Sequence, residues 1–357
     1  MSIINPCVLL SKNLIFIFIG IFGIGLVIGF HELGHFLFSK LFRVNVPSFA
    51  IGFGPKLYKK KIGETKFSLG AVPLGGYVET DSESLNAKPY YQKMLIIGGG
   101  IMFNLLFAYF AFCLLFMFGL PKTRFLYATT TTPIVEKVAK ESQSLGIKPG
   151  DTIVNIDGKE IKGETKVVFR QLKESQDNTV KLKISREGQI VDLQLEKKAL
   201  LQALGTFQIS FKYVNRPGLP FFQAIKKGIQ FTNGYIYMML MMFKHMFVKR
   251  DTSGVGGPIM IIAATMQSAA QGIKVFLLLL ALISISLAIL NLIPLPILDG
   301  GQALLCTIEA IIRRPLSEKI KEYIFIASWI FMLVLFVLIS FRDIWRLFGL
   351  SKFFGGK

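Results

Sequence analysis

The motif His31-Glu32-Leu33-Gly34-His35 contains three side chains that could carry out metal-dependent hydrolysis. On a helix, residues four apart share one face, so His31 and His35 can present two imidazoles to one tetrahedral zinc ion. Glu32 lies next to a ligand, where its carboxylate can reach a water molecule and act as the general base. The spacing therefore predicts zinc-dependent hydrolysis of peptide bonds, with Glu32 as the catalytic residue.

The alternative is a chance match on a buried helix. The chain has three histidines and places two of them in this motif. The motif also follows an uncharged apolar run from Asn13 to Phe30. Ionisable groups at the end of such a run are costly and usually functional. Both observations favour a metal site.

A catalytic zinc site usually has three protein ligands, and Asp299 is the predicted third. It lies in NLIPLPILDGG at 291–301, after 24 uncharged residues that start at Val275. At 1.5 Å per residue, His31 lies about 27 Å along its helix from Asn13, near the far edge of a hydrocarbon core about 30 Å thick. One further span separates the two apolar runs, so both motifs reach the same side of the membrane. The alternative is a turn-forming Asp-Gly-Gly.

Pro294 and Pro296 predict a break in the third apolar helix, close to Asp299. Irregular backbone at membrane depth is tolerated where it lines a cavity or is buried in protein. Asn291 is predicted to bind substrate there, as a donor to a substrate carbonyl or to the oxyanion. A hydrogen bond between helices is an equally good interpretation of Asn291.

The segment Lys66–Glu79 alternates around a central Pro-Leu-Gly-Gly and predicts a membrane-associated β-hairpin. An exposed edge of this hairpin could pair with a substrate in extended form. Gly70, Gly75 and Gly76 are the substrate-binding residues predicted for it. A purely structural hairpin is the alternative.

Composition places the chain in a membrane. Of its 357 residues, 52% are hydrophobic and only 18% are charged, which is too apolar for a soluble protein of this size. The net charge of +19 comes mostly from residues between the apolar segments, so anionic lipid headgroups are a better partner than nucleic acid. Four transmembrane helices are predicted, over 13–30 with its continuation into the histidine motif, 94–120, 275–298 and 323–341. A fifth apolar stretch, Ile229–Phe243, has 15 residues and is predicted to be an interfacial or partly inserted helix.

Between about 131 and 213, charged residues return and short β-branched runs alternate with turn signals. This pattern predicts a soluble α/β domain inserted between the second and third spans. The predicted domains are a first membrane half over 1–120, the inserted domain over 121–215, an interfacial helical segment over 216–274 and a second membrane half over 275–357. Lysine and arginine residues in the 39–93 and 300–322 loops predict that the active site faces the cytoplasm, with the inserted domain outside.

HELGH near the N-terminus and NLIPLPILDGG near the C-terminus resemble the two signatures of the site-2 protease family of intramembrane metalloproteases. The bacterial regulator-of-sigma-E protease type is the most similar. GFGP at 52–55 and VPLGGYV at 72–78 resemble the membrane-reentrant β-loop of that family, and Asn104 resembles the asparagine of its second core helix. GGPIMI at 256–261 is similar to its Gly-Pro segment, and 144–161 is similar to part of a PDZ domain.

This resemblance implies a polytopic α-helical membrane protein with zinc at His31, His35 and Asp299 and catalysis by Glu32. It also implies regulated intramembrane proteolysis of single-span proteins in a bacterial inner membrane, with a PDZ-like domain that contacts substrate or a regulator. The chain departs from the pattern in two places. It has one PDZ-like unit where the sigma-E type carries two, and the glycine run at 98–100 lacks a proline often found there.

Three other functions compete with this interpretation. An ion or metal transporter could use the same residues as an ion path, but four main spans and one asymmetric insert do not form an inverted repeat. An inactive scaffold could bind partners through the PDZ-like domain, yet it would not need Glu32. A prenyl-protein-type membrane protease also has an HExxH helix, but typically completes its zinc site with a glutamate rather than with a residue such as Asp299.

Overall fold

The computed structural model describes residues 14–214, 217–249 and 256–347. The chain forms two compact units. One unit covers Met117–Pro220, and the chain on either side of that range forms the other, which we call the membrane unit.

The described helices of the membrane unit are α1 (Leu14–Leu41), α2 (Ser82–Asn86), α3 (Tyr90–Ile97), α4 (Gly99–Phe118), α8 (Phe221–Lys249), α9 (Pro258–Ala270), α10 (Ile273–Leu290), α11 (Asp299–Ile312) and α12 (Glu318–Leu347). Its strands are β1 (Ser48–Ile62) and β2 (Thr65–Glu79). In the described part of the chain, four helices are long and apolar enough to cross a membrane, namely α1, α4, α10 and α12. The prediction of four spans is therefore confirmed, and the protein is an integral membrane protein.

The second and third predicted spans are longer than the helices found in the structure. The second begins at Gly99, because the chain turns at Gly98 and Tyr90–Ile97 form a separate helix. The third ends at Leu290 instead of continuing to Leu298. The segment between Leu290 and α11 is not helical and contains Pro294 and Pro296, as the predicted break requires.

The predicted interfacial segment Ile229–Phe243 is only the middle of a helix. The helix α8 runs from Phe221 to Lys249 and has 29 residues, so the predicted length of 15 was wrong. The charged residues on both sides of the apolar stretch, among them Lys226 and Lys244, continue the helical backbone instead of ending it. Hydrophobicity therefore identifies the apolar part of this helix but does not identify the residues at which the helix begins and ends.

The strands β1 and β2 form a two-stranded antiparallel sheet that is folded on itself. Residues 48–51 of β1 have partners on two sides, at 66–69 and at 76–79 of β2. The chain reverses at Gly63–Glu64, so the predicted turn at Pro-Leu-Gly-Gly was wrong. The strand β2 instead bends there and brings its last residues to the other side of β1.

The inserted unit contains α5 (Tyr127–Thr130), β3 (Thr131–Val138), a 3-10 helix (Lys140–Leu145), β4 (Thr152–Ile156), β5 (Lys159–Glu160), α6 (Lys166–Glu174), β6 (Thr179–Arg186), β7 (Gln189–Glu196), α7 (Lys197–Gly205) and β8 (Ile209–Tyr213). Its sheet has the strand order β7-β6-β4-β3-β8, and β5 pairs with β4. Alternating residues of β6, Val180, Leu182 and Ile184, are fully buried and form part of one apolar core. This period of two is what a strand with one covered face requires.

Candidate metal centre

Helix α1 presents both motif histidines to the interior of the membrane unit. The Nε2 atoms of His31 and His35 lie 3.2 Å apart, one helical turn from each other. Helix α4 packs closely against this turn, because a Cβ added at Gly34 would lie 2.1 Å from the main-chain oxygen of Gly99. A Cβ at Gly100 would meet the His35 ring at 2.4 Å. Glycines on both helices therefore make room for the imidazoles.

Asp299 is the first residue of α11, at the end of the loop that follows α10. Its Oδ2 lies 3.3 Å from Nε2 of His31, and its Oδ1 lies 3.4 Å from Nε2 of His35. The two glycines after Asp299 allow a tight approach of the loop. A Cβ at Gly301 would meet the main chain of Leu295 at 2.1 Å. The predicted third ligand therefore lies beside the two histidines. The Asp-Gly-Gly sequence forms the first residues of α11 and is not an isolated turn.

These three residues fit a metal ion. They form a group whose ligand atoms all lie within 4.8 Å of one another. Ligand atoms about 2.0–2.1 Å from one zinc ion at tetrahedral angles are separated by about 3.3–3.4 Å, close to the distances found here. The Oδ2 atom of Asp299 is buried and has no hydrogen-bond partner. A buried carboxylate oxygen of this kind is costly unless a cation completes its environment.

The other nitrogen of each histidine is also occupied. Nδ1 of His35 lies 2.9 Å from the main-chain oxygen of Ile96, at the end of α3. Nδ1 of His31 lies 3.1 Å from Nδ2 of Asn104, which is fully buried in α4. The hydroxyl of Ser284 in α10 donates a hydrogen bond to the main-chain oxygen of Asn104. Three helices thus fix the orientation of the imidazoles.

Glu32 lies between the metal-binding group and the last residues of β2. Its carboxylate accepts a hydrogen bond from the backbone of Val78. A Cβ added at Gly76 would lie 2.8 Å from Cγ of Glu32. The strand can therefore pass this close to Glu32 only because residue 76 has no side chain.

The remaining predicted substrate-binding residues lie at different distances from the metal-binding group. Nδ2 of Asn291 lies 3.4 Å from Nε2 of His31, so Asn291 faces the site. An added Cβ at Gly70 would meet the main chain of Gly52, and one at Gly75 would meet the ring of Phe53. These two glycines allow close packing within the sheet, and their contact with substrate stays a prediction.

Sequence reasoning assigned no chemical role to Ser284, to the main-chain oxygen of Ile96 or to Asn104. Asn104 appeared only as a point of resemblance. A signal was present, because Asn104 is a polar amide in an apolar span. Such residues usually hydrogen-bond within a helix bundle. The spacing of 73 residues between Asn104 and His31 gave no indication of the partner.

Four apolar spans and a group of two histidines and one aspartate beside a glutamate define the class of membrane-embedded metallopeptidases. The profile of Peptidase family M50 matches residues 19–335. The chain therefore belongs to peptidase family M50, the site-2 protease family, which confirms the predicted family and enzyme class.

Similar proteins are found in several bacteria. A Clostridium perfringens protein that carries the provisional name of zinc metalloprotease is 33% identical over 327 residues, which cover 88% of this chain and 94% of that protein. Proteins with the same provisional name from Clostridium acetobutylicum and Campylobacter jejuni are each 30% identical to this chain. The matches cover 92% and 91% of this chain and 97% and 92% of those proteins, respectively. These names agree with the predicted zinc cofactor.

Proposed function

We propose that this protein uses zinc to hydrolyse a peptide bond in or near the transmembrane segment of single-span membrane proteins. The observation that carries the proposal is the convergence of Asp299 with His31 and His35. These residues would hold the zinc ion, which supplies Lewis acidity for the attack of water on a peptide carbonyl.

The residues around this group have separate roles in the proposed reaction. Glu32 takes a proton from the attacking water and passes it to the nitrogen of the leaving amine. The backbone of Val78 orients the carboxylate of Glu32. The Nδ2 group of Asn291, which faces the metal-binding group, can donate a hydrogen bond to the developing oxyanion. Burial of the site strengthens each of these interactions.

A substrate helix must be unwound before its peptide bonds are accessible, and β2 offers a means. Residues 76–79 pair with β1 on one side only, according to the pairing of the described strands. Their other edge can hold an extended peptide through main-chain hydrogen bonds. Because Gly76 lies directly beside Glu32, a peptide on this edge would be held next to the general base.

We further propose that the enzyme acts in regulated intramembrane proteolysis in a bacterial inner membrane. The lysine and arginine residues of the 39–93 and 300–322 loops support a site near the cytoplasmic face. On the same argument the domain over 121–215 lies outside, and the domains at 1–120, 216–274 and 275–357 surround it in sequence. We propose that the inserted domain is PDZ-like and contacts substrate or a regulator. The resemblance of 144–161 supports that assignment.

The decisive experiment is Glu32→Gln in the purified full-length chain, with zinc content and cleavage of a membrane-anchored single-span substrate measured together. We expect zinc to be retained and cleavage to be lost, because glutamine cannot accept the proton of the attacking water. Glu322→Gln, on an exposed position of α12, is the matched control and should leave both unchanged. Cleavage by the Glu32 variant at the wild-type rate would remove Glu32 from the mechanism.

The same preparation tests the transporter alternative. A transporter would bind or move metal ions in sealed vesicles and would leave the substrate uncut. Cleavage by the wild type, lost on removal of zinc and restored by its return, would exclude both the transporter and the inactive scaffold.

A further inference from the structure

Asn104 has an unusual environment for a buried amide. Its side chain is completely buried in α4, and its Nδ2 lies 3.1 Å from Nδ1 of His31. Its Oδ1 is also buried and has no hydrogen-bond partner. Buried polar atoms in folded proteins are nearly always paired, so an unpaired amide oxygen two bonds from a histidine contact requires an explanation.

The role of His31 determines what its Nδ1 requires. Its Nε2 faces the donor set, 3.3 Å from Oδ2 of Asp299 and 3.2 Å from Nε2 of His35. A neutral imidazole that gives the Nε2 lone pair to a metal carries its proton on Nδ1. That N–H must then donate a hydrogen bond, and an amide nitrogen cannot accept it.

A half-turn of the Asn104 amide about the Cβ–Cγ bond resolves both problems. It exchanges the positions of Oδ1 and Nδ2, which are nearly the same in size and shape. Oδ1 then faces Nδ1 of His31 at hydrogen-bond distance. The unpaired oxygen gains a donor, and the histidine proton gains an acceptor.

His35 shows the same arrangement with a different acceptor. Its Nδ1 lies 2.9 Å from the main-chain oxygen of Ile96, which can only accept a hydrogen bond. The equivalent position beside His31 is filled by the side chain of Asn104. Ser284 fixes the main chain of Asn104 through a 2.8 Å hydrogen bond. One ligand is therefore oriented by the backbone and the other by a side chain that can be replaced.

We propose that Asn104 is a positioning residue for the metal site, whose Oδ1 accepts the Nδ1 proton of His31 and so keeps Nε2 of His31 available to the metal. The inference rests on the zinc site of the proposed function. Acceptors of this kind fix the tautomer and ring orientation of a metal-bound histidine, and their loss typically weakens metal binding by about 10- to 100-fold. Asn104 would act through His31 and not touch the substrate.

The test compares Asn104→Leu with Asn104→Asp in the full-length protein in detergent. Leucine is similar in size and has no acceptor, so the zinc Kd measured by chelator competition should rise about 10- to 100-fold. Aspartate has an acceptor of the same shape and no proton to donate when ionised, so it should keep the zinc Kd close to that of the wild type. The visible spectrum of the Co²⁺-substituted protein should change for Leu and stay tetrahedral for Asp. Asn86→Leu, at an exposed position of α2, is the matched control.

The outcomes distinguish a failure of the proposed role of Asn104 from a failure of the proposed zinc site. If the wild type binds no zinc, or if Asp299→Ala leaves zinc binding unchanged, the proposed function fails. If those results are as expected and Asn104→Leu binds zinc like the wild type, only the role of Asn104 fails. Should the Leu variant not fold, the Asp variant still decides. A large loss of zinc affinity in Asn104→Asp would mean that the amide donates, and would overturn the proposal.

Discussion

Each of the three predicted ligands has a distinct environment, and Asp299 is the most informative. The two histidines follow from a contiguous motif, whereas the aspartate comes from a loop 264 residues beyond His35 (299 − 35). Its carboxylate reaches both imidazoles with one oxygen each. A bridging carboxylate with one buried oxygen that makes no hydrogen bond indicates a residue whose main partner is a cation.

Asp299→Ala should therefore lower zinc affinity by more than about 100-fold, since it removes a direct ligand and not merely an orienting group. Cleavage of the membrane-anchored substrate should fall with it. Zinc content by metal analysis and Kd by chelator competition check this. Asp177→Ala, in an exposed turn of the inserted unit, is the control. Retained zinc in Asp299→Ala would support the prenyl-protein-type arrangement, with a glutamate as the third ligand.

The contact between β2 and α1 couples a strand to Glu32, the proposed general base. Gly76→Ala places a methyl group 2.8 Å from Cγ of Glu32 and 3.0 Å from the main-chain oxygen of Ala50. Either Glu32 or the strand must move, and misplacement of a catalytic group by about 1 Å can cost about 100-fold in rate. We expect kcat to fall by about 10- to 100-fold while the zinc Kd stays unchanged.

The control for this variant is Gly234→Ala in α8, where an added Cβ meets no atom within 4 Å. Its kcat should match the wild type, and its Tm should not fall, because alanine is the better helix former. If Gly76→Ala keeps full kcat, the strand is not held against Glu32 during catalysis.

The same sheet shows where sequence reasoning succeeds and where it fails. Membrane depth and helix rise bring His31 and Asp299 to one level, so the convergence of the two motifs was predictable. The partners of β2 were not, because alternation reveals a strand but not what it pairs with. Residues 48–51 pair with both arms of β2, a long-range arrangement that no local pattern encodes. For the same reason the contact of Asn104 with His31 was invisible in the sequence.

At the scale of the whole molecule, the two units are stabilised by different interactions. The inserted unit contains a partly buried ion pair, in which Nε and Nη2 of Arg186 donate to the buried carboxylate of Asp151 at 2.8 Å each. Burial raises the pKa of Asp151, but the hydrogen bonds from Arg186 and from the backbone of Lys148 outweigh it, and the pKa lies below the ordinary value of 3.8. The membrane unit instead contains the metal-binding group.

The lowered pKa of Asp151 determines how the inserted unit responds to acid. The folded-state pKa is below the unfolded one, so the stabilisation is fully present above about pH 4 and is lost as the pH falls through the folded-state pKa. Asp151→Asn should lower the free energy of unfolding of the unit at pH 7. The difference in this free energy between the variant and the wild type should become smaller towards pH 3. Hydrogen exchange of β4 and β6, corrected for intrinsic rates, measures this. A difference independent of pH would contradict the assignment.

Removal of zinc should act on the other unit. A ligand that binds only the folded state stabilises it by about 2.7 kcal/mol at a free concentration 100 times its Kd. That stabilisation belongs to the elements that supply the ligands, α1 and α11. A chelator should therefore increase hydrogen exchange in peptides of these two helices and leave β3, β4 and β6 protected, because the inserted unit has its own apolar core. Asp299→Ala should show the same increase in hydrogen exchange of α1 and α11 when no chelator is present. Equal loss of protection in both units would mean that the chain unfolds as one cooperative body, and the zinc ion would then stabilise all of it.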